Sequence, residues 1–505
     1  MKVINIMNFV RQIDERMEDS LNVLYNTTKS ELEMVNEYNL EATFLLQYDA
    51  LCDERYVKLF KETDSDKIEL GLWYEIVEPL AKACDISYES KEGWKWDWHI
   101  KPGFSMSYSP SERIKLIIEA MRKFKEIFGY YPKTVGSWLI DTHTINYLTT
   151  HYEIDAIAIC RDQTNTDAYT LVGGYFNQAY YPSKNNMFTP AQSSKCQINV
   201  PVFRLLGPCP IHNYDTVKYL SDENKDFANG CFTMEAVWPL GSNSDSVDWF
   251  YKTYFENESL GFSYMQIGQE NSFGYRNFLP TLRMQIEKAI KLTDVKILKM
   301  GTTGSLFKKL YKFKTPATSI VALDNWDRYS DVQSVYYNCS NYTANLFRFE
   351  NSLFIRSLYL FNENVKEKYL DEKCLTFDAV YENLAVIDTL FSSKKELKDC
   401  GLKISTDIKE FYAEKLDEGV LRVYWDNGEV TFFESHIIIK SKEIKFYLSK
   451  EIYKVSLNCQ TICFQYNGIK YSVEVLDAIL TLENDLINTH PILDNCIIQL
   501  VKYKR

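Results

Sequence analysis

Cysteine pairs at metal-binding spacing are missing from this chain. Twelve cysteines are scattered over 505 residues without a single CxxC. The nearest approach, Cys459 and Cys463, has no second pair, which excludes a zinc ribbon or finger. The N-terminal run MKVINIMNFVRQ carries one Lys and is broken by Asn5, Asn8 and Arg11, so it is neither a secretion signal nor a membrane span. No apolar run of membrane length occurs anywhere. Unpaired cysteines behind such an N-terminus are expected to be reduced thiols in a cytoplasmic protein. Positive charge is also in short supply. Lys and Arg number 57 against 69 Asp and Glu, a net charge of −12, which argues against nucleic acid as the partner.

What the sequence does hold is apolar and aromatic surface. A 46% hydrophobic content over this length buries one large core and a second. Aromatic residues make up 15%, with 36 Tyr and 9 Trp. Core packing accounts for most of them, and the remainder suits a cleft that stacks on sugar rings.

The chain is organised around Gly129–Asp162. A β-type run, Thr134-Val135-Gly136-Ser137-Trp138, is followed by the polar cluster Asp141-Thr142-His143, then a helical stripe with Ile145 and Leu148. A second strand, Ile154–Ile159, ends at Cys160-Arg161-Asp162. This strand–helix–strand pattern is the unit of a parallel sheet, with polar residues just beyond the strand ends where such folds place active sites. Further strands are predicted at Val3–Met7, Ala42–Leu46, Ile68–Leu72, Val200–Leu206 and Gly261–Ile267. The helix beginning at Pro110 has a full start signal: Ser109 as N-cap, proline at the first position and Glu112 closing a capping box, with Gly129 as the stop. Seven repeats within about 300 residues predict an incomplete (β/α)7-type barrel over residues 1–300. Residues 79–108 interrupt the rhythm with the Trp-rich loop Gly93–His99, too long for an ordinary connection. Beyond residue 300 alternating runs dominate, from Ser334–Tyr337 to Ile469–Val475, with hairpin signals at Asp426-Asn427-Gly428 and Tyr466-Asn467-Gly468. Residues 301–505 are therefore expected to form a connector and an all-β sandwich domain.

The segment from Glu69 to Asp155 resembles the polysaccharide deacetylase superfamily, whose members use a (β/α)7 barrel. The resemblance rests on Glu69-Leu70-Gly71, the Ser-Pro start of the helix Ser109–Phe128, Gly129-Tyr130-Tyr131-Pro132 and the strand end Val135–Trp138, in that order. Loosely, it extends over about the first 290 residues. Deacetylases carry an Asp pair at the end of strand one and metal histidines after strand three. This chain has Asn8-Phe9 at the first place, and Trp73 and Glu75 at the second. The same barrel followed by a β domain is used by glycoside hydrolase families such as 57 and 38, which work with carboxylates. A divergent glycoside hydrolase/deacetylase-type protein without a catalytic metal or cofactor is what the resemblance implies.

Glycoside hydrolysis needs two carboxyl groups across the scissile bond, one protonated and one ionised, roughly 5 Å apart for retention and about 6.5–9.5 Å for inversion. Strand-end carboxylates are Asp49, Glu75, Asp141, Asp162 and Glu270, and Glu235 lies in a loop. Glu75, Asp141 and Glu270 are the catalytic candidates. Asp141 doubles as a helix N-cap, and Glu75, in an apolar stretch, would otherwise need a buried partner such as Arg11 or Arg204. Glu270 sits among Gln266, Gln269 and Asn271, amides suited to sugar hydroxyls. Asp162 and Asp167 lie in a polar loop. Trp94, Trp96, Trp98, Trp138, Tyr180 and Tyr181 are candidate sugar platforms, and Asn8, Arg11, Asp97, His99, His143, Asp162 and Arg204 complete the substrate-binding set. A carbohydrate is the expected partner, bound either for hydrolysis or by a barrel without chemistry. A deacetylase using Asp97, His99, Asp141 and His143 as metal ligands is the third reading. Oligomeric state cannot be read from the chain.

Overall fold

The computed structural model describes residues 1–163, 168–212, 232–325, 332–381, 384–389, 401–442, 444–447, 454–466, 468–483, 486–492 and 495–500. Asp167 and Asn467 lie outside them. Seven parallel strands form the first half: β1 Lys2–Val10, β2 Ala42–Leu46, β3 Ile68–Trp73, β4 Thr134–Gly136, β5 Ala156–Ile159, β6 Val202–Arg204 and β7 Ser263–Ile267. The order is β7-β1-β2-β3-β4-β5-β6. Their near-continuous apolar sequences suit strands buried on both faces by surrounding helices. Between β6 and β7 a side chain takes over from the ladder: the Leu206 N–H donates to Gln266 Oε1 at 2.9 Å. The result is the nearly closed barrel that the repeat pattern predicts.

Local signals hold where they are strong. The Ser109–Glu112 capping box starts the helix Pro110–Phe128, and Gly129 ends it at φ 85°. The helix Ser20–Glu37 stops just before Asn39, which is left-handed at φ 53°. Glu69, the acidic residue of the family-like motif, works at the N-terminal end of the barrel. It accepts from Thr43 Oγ1 at 2.9 Å, Thr134 Oγ1 at 2.8 Å and the Gly301 N–H at 2.9 Å. These bonds seat the first turn of the helix Met300–Tyr311 across the strand starts.

Among the described residues beyond Thr318 the second half is almost wholly antiparallel β. One nine-stranded and one eight-stranded sheet bury their inner faces in a common core, where Tyr337 stacks on Phe432 at 5.2 Å. The Asp426–Gly428 turn joins Val420–Trp425 to Gly428–Phe432 as predicted. Two features have no counterpart in the sequence patterning. Val295–Ile297 adds a parallel partner to β1, and Tyr169–Leu171 pairs in parallel with Ala379–Tyr381, tying a barrel loop to the second half. The barrel core also continues into that half through Tyr336, Phe347 and Phe354.

Candidate active site

The cleft lies at the C-terminal ends of the strands. Its floor is aromatic: Phe9 at the end of β1, Trp73 at the end of β3 and Trp138 beyond β4 meet with ring centroids 4.4–5.2 Å apart. Above this floor, Arg11 follows β1 and Glu270 follows β7. Gly268 brings them together. At φ 112° it turns the β7 chain so close to β1 that a Cβ would stand 2.1 Å from the Met7 carbonyl oxygen, a path open only to glycine. The Phe9 N–H then donates to the Gln269 carbonyl at 3.2 Å. Asn271 clamps the Arg11 backbone, accepting from its N–H at 3.1 Å and donating to its carbonyl at 2.8 Å.

Arg11 is therefore fixed, and it gathers two carboxylates. Its Nη2 lies 2.5 Å from Glu270 Oε1 and 3.7 Å from Glu75 Oε2. Those two oxygens are thus separated by at most the sum, about 6.2 Å. Glu75 Oε2 also accepts from Gln47 Nε2 at 2.7 Å and Trp96 Nε1 at 2.9 Å. Burial pushes its carboxyl upward, opposed by the Arg11 charge. Ser272 Oγ donates to Glu270.

A third carboxyl comes from the loop after β6. Glu235 accepts from Thr233 Oγ1 and Trp238 Nε1, each at 3.1 Å, and from Gln269 Nε2 at 3.4 Å. Burial pushes its pKa to about 7, with the Arg161 charge acting the other way. Glu235 and Glu270 line the same cavity of about 260 Å3, together with Arg11, Arg16, Trp96, Trp98, Trp138, Trp238, Phe273, Tyr275 and Arg276. A carboxyl half-protonated near neutrality beside an ion-paired carboxylate is the environmental split that acid–base catalysis on sugars requires.

The other sequence candidates are distributed as follows. Within the Trp-rich loop, Trp96 and Trp98 face the cavity, and Trp94 packs 5.5 Å from Trp98. Backbone bonds from Glu78 to Lys95 and from Ile76 to Gly103, each 2.8 Å, lay this loop over the strand ends. Asp97 is occupied by His99 Nδ1 at 2.6 Å and by the Lys91 N–H at 2.9 Å. Asn8 accepts from the Gln269 N–H at 3.1 Å.

Asp141 does not line the cavity. It caps the helix Thr142–His151 through the Thr144 N–H at 3.0 Å and pairs with buried Arg113 at 3.0 Å, and Ser105 Oγ donates to it as well. Its oxygens are consumed by structure. His143 is half-buried on the same helix, and burial lowers its pKa. Tyr180 and Tyr181 are fully buried, Tyr180 donating to the Met187 carbonyl and Tyr181 packing on Phe307. They build the core and present no sugar-facing surface. Arg204 and Asp162 form an ion pair at 2.5 Å that anchors the Gly174 loop. Gln266 bridges β6 to β7 as described. Asp49, another strand-end carboxylate, receives the Gln12, Ile13 and Ala50 N–H groups, and burial still raises it to about 6.

The donors present do not fit a deacetylase metal. Phe9 and Trp73 fill the floor with rings where the family's second Asp and a histidine would stand, and Glu75 is turned to Arg11, Gln47 and Trp96. Among the described residues no group of three or more His, Cys, Asp or Glu is placed to hold an ion. Sequence reasoning gave Glu235 no catalytic role and overlooked Arg16, Trp238, Tyr275 and Arg276. The one available signal was the pairing of Thr233 and Trp238 around a loop carboxylate.

No family model matches the sequence, and no curated protein matches it. Among solved structures the chain is similar to a protein from Parabacteroides distasonis provisionally named a glycoside hydrolase/deacetylase. The TM-score is 0.56 at 13% identity, over 78% of this chain and 93% of that one. That likeness shows a shared fold. Alignments too loose to argue from reach a provisionally named polysaccharide deacetylase from Pseudomonas aeruginosa, with TM-score 0.37, 11% identity and coverage of 62% and 92%. A 4-alpha-glucanotransferase from Thermococcus litoralis aligns at 0.33 with 7% identity, covering 99% and 97%. Among the described residues no helix is long and apolar enough to cross a membrane.

Proposed function

We infer that the chain is a glycoside hydrolase acting on an oligo- or polysaccharide, with Glu235 as the acid and Glu270 as its ionised partner. The observation that carries this reading is the sharing of one cavity by two unlike carboxyl groups, Glu235 raised to about 7 and Glu270 paired with Arg11. Protonated Glu235 gives its proton to the glycosidic oxygen as the bond breaks. Glu270 attacks the anomeric carbon or draws a proton from an attacking water. Arg11 and Ser272 hold Glu270 in place, Glu75 faces the same Arg11 Nη2 from 3.7 Å, and the indoles of Trp96, Trp98, Trp138 and Trp238 offer apolar walls to sugar rings.

One observation favours a barrel that binds glycans without cleaving them: Arg11, 2.5 Å away, already occupies the Glu270 Oε1 oxygen that attack or proton abstraction would use. A screen of aryl glycosides and oligosaccharides against wild type, Glu235→Gln and Glu270→Gln separates the two. Hydrolysis of an oligosaccharide by wild type that falls at least a hundredfold in both variants supports catalysis. Binding without hydrolysis by wild type supports the binding barrel.

A further inference from the structure

We propose that the substrate is an acidic glycan whose carboxylate or ester sulfate is met by Arg276, assisted by Arg16. The proposal rests on the hydrolase reading of the same cleft and names the class of sugar it takes.

The charge on the cavity wall is unusual for this protein. In a chain of net charge −12, three guanidinium groups line one cavity of about 260 Å3, with no lysine or histidine among the lining residues. Two of the three have acid partners. Arg11 is paired with Glu270 at 2.5 Å, and Arg16 Nη2 lies 2.6 Å from Asp14 Oδ2. Arg276 has no carboxylate partner among the described residues. Among the described residues its one hydrogen bond runs from Nε to Tyr275 Oη at 3.1 Å, and neither Nη group meets an acceptor there. Three rings hold the guanidinium carbon, Trp238 at 5.0 Å, Phe273 at 5.5 Å and Tyr275 at 5.5 Å from their centroids. Stacking of this kind fixes a guanidinium plane while leaving its paired N–H donors outward, the geometry that receives a carboxylate or sulfate through two bonds.

A second donor points the same way. Among the described residues Arg11 Nη1 is buried with no hydrogen bond, and the acidic oxygen beside it is Asp14 Oδ2 at 4.0 Å. A buried guanidinium N–H left open is costly unless a ligand oxygen completes it. Arg11 is thus matched by Glu270 and Glu75 and Arg16 by Asp14, which leaves Arg276 as the cavity guanidinium without an acid partner among the described residues. Neutral sugars gain little from that unmatched cation, and an anionic sugar neutralises it.

The test uses the full chain and the quench of its cleft indoles. Oligogalacturonate, its methyl ester, a chondroitin sulfate hexasaccharide, maltohexaose and cellohexaose are titrated against wild type, Arg276→Gln and Arg276→Lys. Wild type is expected to bind one of the acidic glycans at least tenfold tighter than the neutral ones, with affinity falling as salt rises. The uronate and sulfate arms identify which anion is recognised. Arg276→Gln, at an exposed site, should leave the melting temperature unchanged and weaken acidic binding about ten- to hundredfold, with Arg276→Lys intermediate. Equal affinity for esterified and free acid, or for wild type and Arg276→Gln, overturns the proposal. Cleavage of a neutral glycan that depends on Glu235 would overturn the acidic-substrate assignment and leave the hydrolase reading standing. Binding of no glycan at all would remove both.

Discussion

Replacing Glu235 by Gln removes the acid and should also make the protein more stable at alkaline pH. In the folded chain the carboxyl titrates at about 7, against an ordinary value of 4.5. A raised carboxyl pKa means that the folded state keeps its proton while the unfolded state loses it. Stability is therefore fully present below 4.5, declines as pH rises from 4.5 to 7, and is flat above. A gap of about 2.5 units at 1.36 kcal/mol each amounts to roughly 3 kcal/mol. Glutamine is neutral throughout and keeps the acceptor oxygen for Thr233 and Trp238, so it escapes that penalty. Glu367 and Asp49 are raised to about 7 and about 6 and slope the same way in both proteins, so they cancel in the comparison. Thermal unfolding of wild type and variant at pH 4 and pH 8 is the assay. The difference in melting temperature should widen in favour of Glu235→Gln by about 3 °C between the two pH values. An unchanged difference would show that Glu235 is not buried as a proton-holding acid, and the catalytic assignment would go with it.

Glu270→Gln should abolish turnover and cost about 3 kcal/mol of stability, since it strips the buried Arg11 of its closest counter-charge; activity and melting temperature measured together check both. Asp141→Ala should lower stability by about 3 kcal/mol or more, through the lost cap and the orphaned Arg113, yet leave kcat per folded molecule unaltered. A fall in kcat beyond tenfold in soluble, folded variant would show that Asp141 acts in the chemistry. Trp96→Ala should cost about 3–5 kcal/mol by emptying a buried indole site and should raise KM, because Arg11 stacks on that ring at 4.0 Å. Chelator treatment should leave activity intact, because the barrel floor offers rings where metal ligands would stand; loss of activity restored by a divalent ion would contradict this.

Much of the fold was legible because its signals are local. Alternating and continuous apolar runs, the Ser109 capping box and the Gly129 stop each report a conformation within a few residues, and all seven barrel strands follow from them. The site was only partly legible. Glu270, Trp96, Trp98 and Trp138 stand out as strand-end or loop residues, and the cleft uses them. Tyr180 and Tyr181 have the same composition signal, yet the chain folds them inward against Met187 and Phe307. Arg204 and Asp162 resemble a binding pair until their mutual contact is seen. Glu235 is the instructive case. It follows no strand directly, and its character comes from burial and from Gln269, a neighbour 34 positions away. Which carboxyl is desolvated depends on contacts between distant segments, and periodicity carries no information about them.

The central claim is that Glu235 supplies a proton to the departing sugar oxygen. An aryl glycoside with a strongly acidic phenol needs no such help, whereas a natural disaccharide linkage does. Rates for both substrates with wild type and Glu235→Gln test this directly. The account predicts a loss of at least a hundredfold on the natural linkage, a loss of less than tenfold on the activated glycoside, and disappearance in the variant of the fall in kcat/KM above about pH 7. Equal losses on both substrates, or an unchanged alkaline limb, would contradict it.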